Sequence, residues 1–486
     1  MAINDRPSDS LGFSYIDQLQ YNSAGIPPLR NFTAYRLRGE VGEGKRAFVL
    51  IHTGYDRTGN WTRDGANIGG QTNPDGYVGT SADVIGTKIT WVPTNAGGYV
   101  IPPMVVPIVL PAPVPSTPLA NTYYNNSPDT LAFRNMLSGV LAGTSRTFVM
   151  EGDSTTAGVG AGTSGIIGAY ANTYASKLAT ELVAAGYNAN NDAIFGSQFV
   201  SGTATPYSQY NPKLQLTGAW VVNTALVPGY QPWTVGAAGA KFTGAWGSRI
   251  YNAVDVYYIQ FASNGTVNAS VDGGATIQNI DMSGTSGPVR KVTVPVPRGA
   301  HASFDLTTTS TSPVYIIGIV PRDTTVGEIN IIQWGFSGAL TASQATTTNQ
   351  YSPSNAAMLA LVAADMVIFQ STINDARTAN NTPDATYKAN LNTITAAWIT
   401  SGARIMLMSG IPSSLADTTL AKRNSIKQQV ADVASEKSLV YIDFDARCVS
   451  YDALTAKGWT AGDGLHGNIP CYADEAQWLG QIIRNM

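Results

Sequence analysis

The spacing of apolar residues changes several times along the chain, and each change marks a different kind of structure. Over residues 1–100, apolar and polar side chains alternate in short runs, at residues 35–38 and 48–51, and turn-forming clusters such as residues 73–76 separate them. Alternation with a period of two is typical of half-buried strands. The pattern predicts a small β-rich domain over residues 1–100.

A proline-rich run at residues 101–118 follows this first region. Proline fixes φ and has no amide hydrogen, so prolines at this density exclude a helix and favour extended, polyproline-like chain. We therefore predict a linker over residues 101–126. The first residues lack the basic start and apolar run of a secretory signal, and no stretch reads as a membrane-spanning helix. We expect neither a signal peptide nor membrane insertion.

Beyond the linker, short continuous apolar runs alternate with helical spacing. The runs are typical of strands buried on both faces, and they occupy residues 147–150, 329–333, 366–369, 404–408 and 439–443. Amphipathic helical patterns lie at residues 170–185, which Gly186 ends, and at residues 472–483. Five strands alternating with helices predict a parallel sheet covered on both faces, as in a flavodoxin-like, three-layer α/β/α domain.

Residues 203–326 interrupt this pattern with period-two alternation, for example at residues 254–258, and with a hairpin signal at residues 272–274. They predict a β-sandwich, or jelly roll, inserted in the α/β domain. The expected α/β domain therefore has two parts, residues 127–202 and residues 327–486.

Composition narrows the possible functions. Only 13% of the 486 residues are charged and the net charge is −3 at pH 7. Nucleic acid and anionic membrane surfaces both need clustered Lys and Arg, so we expect neither as a partner. Two cysteines, Cys448 and Cys471, are too few for a zinc site or a disulfide framework. They form either one disulfide bridge or two free thiols, and both alternatives stay open. We predict no metal and no cofactor.

Candidate chemistry lies where the predicted parallel strands end, because ligands of such sheets bind outside the carboxyl ends of the strands. Four segments occur there in chain order: Gly152-Asp153-Ser154, Ser337-Gly338, Asn374-Asp375, and Asp463-Gly464-Leu465-His466. They place a serine, a histidine and an aspartate at one edge of the sheet.

These segments, in this order, resemble the SGNH family of serine hydrolases, also called GDSL esterases. The match covers residues 146–160 and 329–486, and the β insertion interrupts it. The resemblance implies a carboxylic ester hydrolase. Two positions depart from the family pattern: Thr372 stands where the third segment often has glycine, and Thr155 replaces the leucine of GDSL.

The residues also fit the roles that ester hydrolysis needs. A serine hydroxyl is a weak nucleophile until a base takes its proton. We therefore expect Ser154 to be the nucleophile and His466 the general base, which later protonates the leaving alcohol. Asp463 can hydrogen-bond the other ring nitrogen of His466 and fix its tautomer. The alternative is that His466 is a surface histidine without a catalytic role.

The resemblance further implies an oxyanion hole formed by the Ser154 N–H, the Gly338 N–H and the Asn374 side-chain amide. Donors placed where negative charge develops stabilise the tetrahedral intermediate, and glycine at 338 would leave room for the acyl group. The alternative for Gly338 is a glycine in the turn that leads into a helix. The alternative for Asn374 is a helix cap or an Asx turn. We expect Asp153 to brace the nucleophile loop.

Residues 160–165 match the G-x-G-x-x-G pattern of dinucleotide-binding loops. That function needs the glycines in the turn at the strand end and an acidic residue after a second strand. Here Gly152-Asp153-Ser154 already occupies the strand end. We interpret these glycines as a flexible rim of the substrate groove.

An inserted sandwich resembles the arrangement in esterases that deacetylate polysaccharides, including peptidoglycan O-acetylesterases, and sandwiches of this type often bind sugars. Five aromatic residues of the insertion either stack on sugar rings or form the sandwich core: Trp220, Tyr230, Trp233, Trp246 and Tyr257. We expect His301 in a loop of the sandwich, and His52 as a packing or solvated residue of the first domain.

The order of the predicted domains resembles a bacteriophage tailspike or tail fibre. This resemblance implies a first domain that binds tail or baseplate proteins of the virion, a homotrimer, and extracellular action on a bacterial surface glycan. Our hypothesis is a tailspike O-acetylesterase that acts on capsule or O-antigen. The alternatives are a bacterial carbohydrate or peptidoglycan O-acetylesterase with no virion role, and a non-catalytic tail adhesin that uses the same fold.

Overall fold

The computed structural model describes residues 32–40, 46–52, 77–80, 88–91, 104–107, 123–124, 129–162, 166–195, 205–223, 232–285, 287–348 and 354–485. The chain divides into two compact units, Met1–Pro118 and Leu119–Met486. None of the described helices is long and apolar enough to cross a membrane.

The described part of the first unit forms strands. They are β1 Phe32–Glu40, β2 Arg46–His52, β3 Tyr77–Thr80, β4 Lys88–Trp91 and β5 Met104–Pro107. Strands β1, β2 and β3 form an antiparallel sheet, and β4 pairs antiparallel with β5.

The predicted runs at residues 35–38 and 48–51 lie in β1 and β2, whereas the turn signal at residues 73–76 lies outside the described residues. Strand β5 lies inside the proline-rich run, where we expected extended, polyproline-like chain. The chain is extended there, and it also pairs with β4, which was not foreseen. Three consecutive residues without proline, 104–106, keep their amide hydrogens and so can pair with β4.

The second unit contains the remaining strands and the described helices. Its strands are β6 Tyr123–Tyr124, β7 Arg146–Gly152, β8 Ala189–Asn190, β9 Ile194–Phe195, β10 Leu214–Thr217, β11 Val221–Val222, β12 Trp233–Val235, β13 Lys241–Gly244, β14 Ile250–Ile259, β15 Thr266–Val271, β16 Gln278–Asp281, β17 Val289–Ala300, β18 Phe304–Thr308, β19 Val314–Arg322, β20 Ile329–Gly335, β21 Met366–Gln370, β22 Arg404–Ser409 and β23 Val440–Asp443. Its helices are α1 Asp129–Leu141, α2 Ser154–Ala157, α3 Tyr174–Ala184, α4 Thr205–Tyr210, α5 Thr341–Gln344, α6 Ala356–Val362, α7 Ile373–Ala376, α8 Asp384–Thr400, α9 Leu420–Glu436, α10 Phe444–Cys448, α11 Tyr451–Ala456 and α12 Ile469–Asn485.

A seven-stranded sheet forms the centre of this unit, in the order β6-β23-β22-β21-β7-β20-β8. All neighbours pair in parallel except β6, which pairs antiparallel with β23. In chain order the five long strands are arranged 2-1-3-4-5, which is the flavodoxin-like order. These five predicted strands are confirmed, with ends that differ by at most two residues. The edge strands β6 and β8 were not foreseen because two residues show no periodicity.

Successive residues of β7 face opposite sides of this sheet. Phe148 and Met150 belong to one buried cluster, together with Leu178 of α3 and Leu479 of α12. Val149 belongs to the other cluster, which includes residues of α8 and α9. The parallel sheet is therefore buried on both faces, as its continuous apolar strands predict.

Strands β9–β19 form two antiparallel sheets that pack against each other. One has the order β10-β13-β18-β15-β16; the other has the order β11-β12-β19-β14-β17, and β9 also pairs with β19. The rings of Trp233 and Phe242, one from each sheet, meet edge to face with centroids 5.2 Å apart. The predicted hairpin signal is the turn between β15 and β16, where Asp272 and Gly273 adopt φ values of 53° and 68°.

The helix α4 contradicts the expectation that residues 203–326 are β throughout. A six-residue helix is too short to show a 3.6-residue period, so its spacing could not reveal it. The jelly-roll topology and the predicted domain boundaries stay predictions.

Candidate active site

The loop that follows β7 holds Ser154 at the carboxyl end of the parallel sheet. A Cβ atom on Gly152 would lie 2.0 Å from the carbonyl oxygen of Gln370, so only glycine fits between the two strands. Asp153 caps α2, since its Oδ1 accepts hydrogen bonds from the Thr155 N–H (2.9 Å) and the Thr155 hydroxyl (2.7 Å). Asp153 therefore braces the turn that presents Ser154, the first residue of α2.

A second turn places Asp463 and His466. The Oδ1 atom of Asp463 accepts the N–H groups of Leu465 and His466, both at 2.9 Å, which bends the chain back on itself. Gly464 adopts a φ of 83° within this bend, and its N–H donates to the Tyr451 hydroxyl at 2.9 Å. The bend brings the ring of His466 over the carboxylate of Asp463.

Ser154, His466 and Asp463 form one hydrogen-bonded chain. His466 Nδ1 lies 2.5 Å from Asp463 Oδ2, and His466 Nε2 lies 2.8 Å from Ser154 Oγ. A carboxylate only accepts, so Nδ1 carries the proton and Nε2 is left to accept the serine proton. Burial tends to raise the pKa of Asp463, but the hydrogen bonds from His466 and from two backbone N–H groups outweigh burial and hold that pKa well below its usual range.

The loop that carries Gly338 starts beside the nucleophile turn. The Phe336 N–H donates to the Gly152 carbonyl at 3.0 Å, and a Cβ atom on Gly335 would lie 2.2 Å from the Ala157 nitrogen. Gly338 has a φ of 80°, and a Cβ atom there would meet nothing within 4 Å. Its backbone conformation, in the turn before α5, is by itself a reason for a glycine, and the expected role of leaving room for an acyl group stays a prediction.

The other end of this loop is held by Asn374 and Asp375. The Asn374 side-chain amide donates to the Ala339 carbonyl at 3.0 Å, which leaves its second amide hydrogen for another acceptor. Asp375 accepts the Thr341 N–H (2.9 Å) and the Thr341 hydroxyl (3.0 Å). Asn374 lies within α7, whose N-cap residue is Thr372, so the helix-cap alternative for Asn374 was wrong.

Thr372, the departure from the family pattern, faces the loop after β22. Its Oγ1 accepts the Gly410 N–H at 3.2 Å. The threonine therefore connects two loops at the carboxyl end of the sheet.

Residues 160–165 were interpreted as a flexible rim, and this is wrong for Gly160. A Cβ atom on Gly160 would lie 2.3 Å from the Gly467 carbonyl oxygen and 3.3 Å from His466 Cβ. Gly160 also has a φ of 90°. It packs directly against the loop that carries His466, whereas residues 163–165 lie outside the described part of the chain.

Several carboxyl groups in and around the nucleophile turn are buried. Burial raises the pKa of Glu151 to about 8 despite a 2.5 Å hydrogen bond from Trp398 Nε1. Burial likewise raises the pKa of Asp153, Asp375 and Glu475. The sequence analysis did not identify Glu151 or Glu475 as candidate site residues. Each is a charged residue within an apolar strand or helix pattern, and that pattern could have indicated a buried carboxyl group near the site.

Four of the aromatic residues proposed for sugar stacking, Trp220, Trp233, Trp246 and Tyr257, are buried and at most 7% exposed. The core alternative is therefore correct for these four, and Tyr230 lies outside the described residues. Cys448 and Cys471 are buried free thiols. His301 lies in the turn between β17 and β18, and the side chain of His52 is outside the described part of the chain.

Comparison with known proteins gives a match in structure only. No protein-family model matches the chain, and no curated protein matches it. A solved structure described as a peptidoglycan O-acetylesterase is similar to it, with a TM-score of 0.57 and 17% identity over 75% of this chain and 100% of that chain.

Two other matched structures are a lipase/acylhydrolase from Enterococcus faecalis and a family two carbohydrate esterase from Clostridium thermocellum. The first has a TM-score of 0.28 and 18% identity over 32% of this chain and 77% of that chain. The second has a TM-score of 0.25 and 12% identity over 52% of this chain and 94% of that chain. With scores this low, neither carries an argument here. The chain thus shares a mixed α/β fold, built on a parallel sheet, with the peptidoglycan O-acetylesterase structure.

Proposed function

We propose that this chain is a serine esterase of the SGNH type that removes O-acetyl groups from a bacterial surface polysaccharide. The hydrogen-bonded chain from Ser154 through His466 to Asp463 carries this proposal. It joins a nucleophile, a base and an orienting carboxylate at the edge of the sheet where ligands of α/β proteins bind. The fold shared with a peptidoglycan O-acetylesterase supports it.

In the proposed reaction, Ser154 Oγ attacks the acetyl carbonyl carbon while His466 Nε2 takes the hydroxyl proton. The N–H groups of Ser154 and Gly338, with the free amide hydrogen of Asn374, stabilise the oxyanion. His466 then protonates the departing sugar oxygen, which leaves an acetyl-enzyme. Water, activated by the same imidazole, releases acetate and restores Ser154.

The biological setting that we propose is a phage tailspike acting on host capsule or O-antigen. In this setting the first unit binds virion tail or baseplate proteins, and the chain works as a homotrimer outside the cell. The charge-poor composition and the β strands that precede the proline-rich run support this part of the proposal.

A bacterial peptidoglycan O-acetylesterase without a virion role is the second candidate. The observation that favours it is the match to all of a peptidoglycan O-acetylesterase chain. Acetate release from O-acetylated peptidoglycan, set beside release from capsule and O-antigen, separates the two settings.

The test of the esterase function compares the wild-type protein with Ser154→Ala on a chromogenic acetyl ester and on O-acetylated glycans. We expect hydrolysis by the wild type and a loss of about 10⁵-fold or more in the variant. A wild type that hydrolyses neither the small ester nor any acetylated glycan overturns the proposal and favours the non-catalytic adhesin.

A further inference from the structure

Gln370 lies directly beneath the nucleophile turn. It is the last residue of β21, paired in parallel with Gly152 at the end of β7. Its carbonyl oxygen accepts the Asp153 N–H at 3.2 Å. The backbone of Gln370 thus fixes the start of the turn, and its fully buried side chain is left to contact the later residues of that turn.

The side chain of Gln370 contacts the two residues that come after Ser154 and forms a hydrogen bond with the second of them. Its Oε1 atom lies 3.2 Å from the Thr155 hydroxyl and 3.2 Å from the Thr156 hydroxyl. Both threonines are completely buried. The Thr155 hydroxyl has one hydrogen and donates it to Asp153 Oδ1 at 2.7 Å, so the Gln370 amide oxygen accepts from the Thr156 hydroxyl and only packs against Thr155 Oγ1. An amide NH₂ in the same place could only donate.

Glu475 determines which way the Gln370 amide points. Gln370 Nε2 donates to Glu475 Oε1 at 3.0 Å. Glu475 is completely buried in α12, the helix that follows the His466 loop, and burial raises the pKa of its carboxyl group well above the usual range. A neutral carboxylic acid keeps a carbonyl oxygen as acceptor without the cost of a buried charge.

We propose that Gln370 and Glu475 are a positioning pair: Glu475 fixes the amide of Gln370, and Gln370 holds Thr156 through its hydroxyl so that Ser154 Oγ stays within reach of His466. This inference rests on the proposed esterase function. Gln370 joins α2, which carries the nucleophile, to α12, whose first turn follows the base. Loss of either partner is expected to misplace the two reacting groups while leaving substrate contacts in place.

The test uses two variants of nearly unchanged shape, Gln370→Met and Glu475→Met, in the full chain. We expect kcat on a chromogenic acetyl ester to fall by about tenfold to a hundredfold in each, with KM within about twofold, because small misplacements of reacting groups slow the chemical step. Glu475→Gln keeps a neutral acceptor for Gln370 Nε2, and we expect it to retain at least about a third of kcat.

A matched control separates positioning from stability. Thr395 is a buried threonine of α8 whose hydroxyl donates to the Leu391 carbonyl of the same helix at 2.8 Å. Thr395→Val is expected to lower the melting temperature without changing kcat. If Gln370→Met does not fold, Thr156→Val removes the hydroxyl that donates to Gln370 instead, and we expect a smaller fall in kcat, about threefold to tenfold.

The labelling rate of Ser154 with a fluorophosphonate is measured alongside turnover, because this reagent reports an activated serine whatever the natural substrate is. Wild-type protein that is labelled but hydrolyses no acetyl ester overturns the proposed function and leaves the positioning pair testable by labelling. Folded Met variants with wild-type kcat and labelling rates overturn the pair. A Glu475→Gln variant with a kcat as low as that of Glu475→Met also overturns the positioning pair, since a hydrogen-bond acceptor at position 475 would then not restore activity.

Discussion

Two histidine–aspartate pairs occur among the residues that the structure describes, and the two histidines differ in the partner of one ring nitrogen, Nε2. In the parallel-sheet region, His466 Nδ1 lies 2.5 Å from Asp463 and Nε2 lies 2.8 Å from the Ser154 hydroxyl. In the antiparallel region, His301 Nδ1 lies 2.8 Å from Asp272, and Nε2 lies 2.8 Å from the Pro297 carbonyl oxygen.

The partner of Nε2 decides what each imidazole can do. A hydroxyl can donate, so a neutral His466 accepts the Ser154 proton and can act as a base. A carbonyl oxygen only accepts, so His301 satisfies both of its partners only as imidazolium, with two donors. Burial lowers the pKa of His301, but the hydrogen bonds to Pro297 and Asp272 outweigh it, and the net shift is upward. A histidine beside an aspartate is therefore not in itself a catalytic base.

The largest predicted contrast comes from replacing each histidine by asparagine. We expect His466→Asn to lower kcat by about 10⁵-fold, because the base is lost. His301→Asn, the matched control, is expected to leave kcat within about twofold, since it touches no residue of the candidate active site. Comparable losses of activity in both variants would contradict the distinction between the two pairs.

Replacing the aspartates is expected to give the next largest contrast. Asp463→Asn keeps the shape but removes the carboxylate that selects the Nδ1–H tautomer, and we expect kcat to fall by about 10⁴-fold. Asp272→Asn is the control at the other pair. Steady-state kinetics at several pH values measure both, and an Asp463→Asn enzyme with nearly normal kcat would show that Asp463 does not orient His466.

Replacing a glycine next to each histidine–aspartate pair by alanine is expected to give a smaller difference in kcat. A Cβ atom on Gly160 would meet the Gly467 backbone at 2.3 Å, whereas one on Gly299 would lie 3.7 Å from His301 Nε2, an ordinary contact. Because Gly160→Ala must displace the His466 loop, we expect about a tenfold to hundredfold fall in kcat. Gly299→Ala is expected to leave kcat unchanged. If Gly160→Ala is folded and fully active, the loop does not depend on this close approach.

The sequence was most informative where the site lies on regular structure. Ser154 and Asn374 follow apolar strands whose ends could be read within two residues, so their edge of the sheet could be predicted. Asp463 and His466 are three residues apart, and their hydrogen bond is local.

Contacts between distant segments could not be predicted in this way. Gln370 and Thr156 are 214 residues apart, and nothing in the spacing of either segment shows that they meet. The close approach of Gly160 to Gly467 could not be predicted for the same reason. Nor could the contact between His301 and Asp272, because a hairpin turn and a second loop come together only in the folded sheet. Such contacts depend on packing, which a local pattern of apolar residues does not encode.

The smallest predicted effect is a dependence of stability on pH that comes from the His301–Asp272 pair. The folded-state pKa of His301 is raised, so its contribution is complete below the ordinary histidine pKa of about 6.5 and is lost as the pH rises through the folded value. The pKa of Asp272 is lowered despite burial, chiefly by the hydrogen bond from His301 and by backbone N–H groups, so its contribution is complete above about 3.9 and is lost as the pH falls through its folded value. The pair should stabilise the fold most between these two values.

We therefore expect His301→Gln to lower the free energy of unfolding by about 1 kcal/mol or less near pH 5.5, because Asp272 is partly exposed to solvent, and by less near pH 9, because the contribution of a group with a raised pKa is lost as the pH rises. Thermal melts of the wild type and the variant at the two pH values measure this difference. The Asp272→Asn variant should show at least this loss near pH 5.5, because it also weakens the hydrogen bonds that Asp272 Oδ1 accepts from the Ala302 and Ser303 N–H groups. A larger loss at pH 9 than at pH 5.5 would mean that the fold does not favour the charged form of His301, and the contrast between the two pairs would fail.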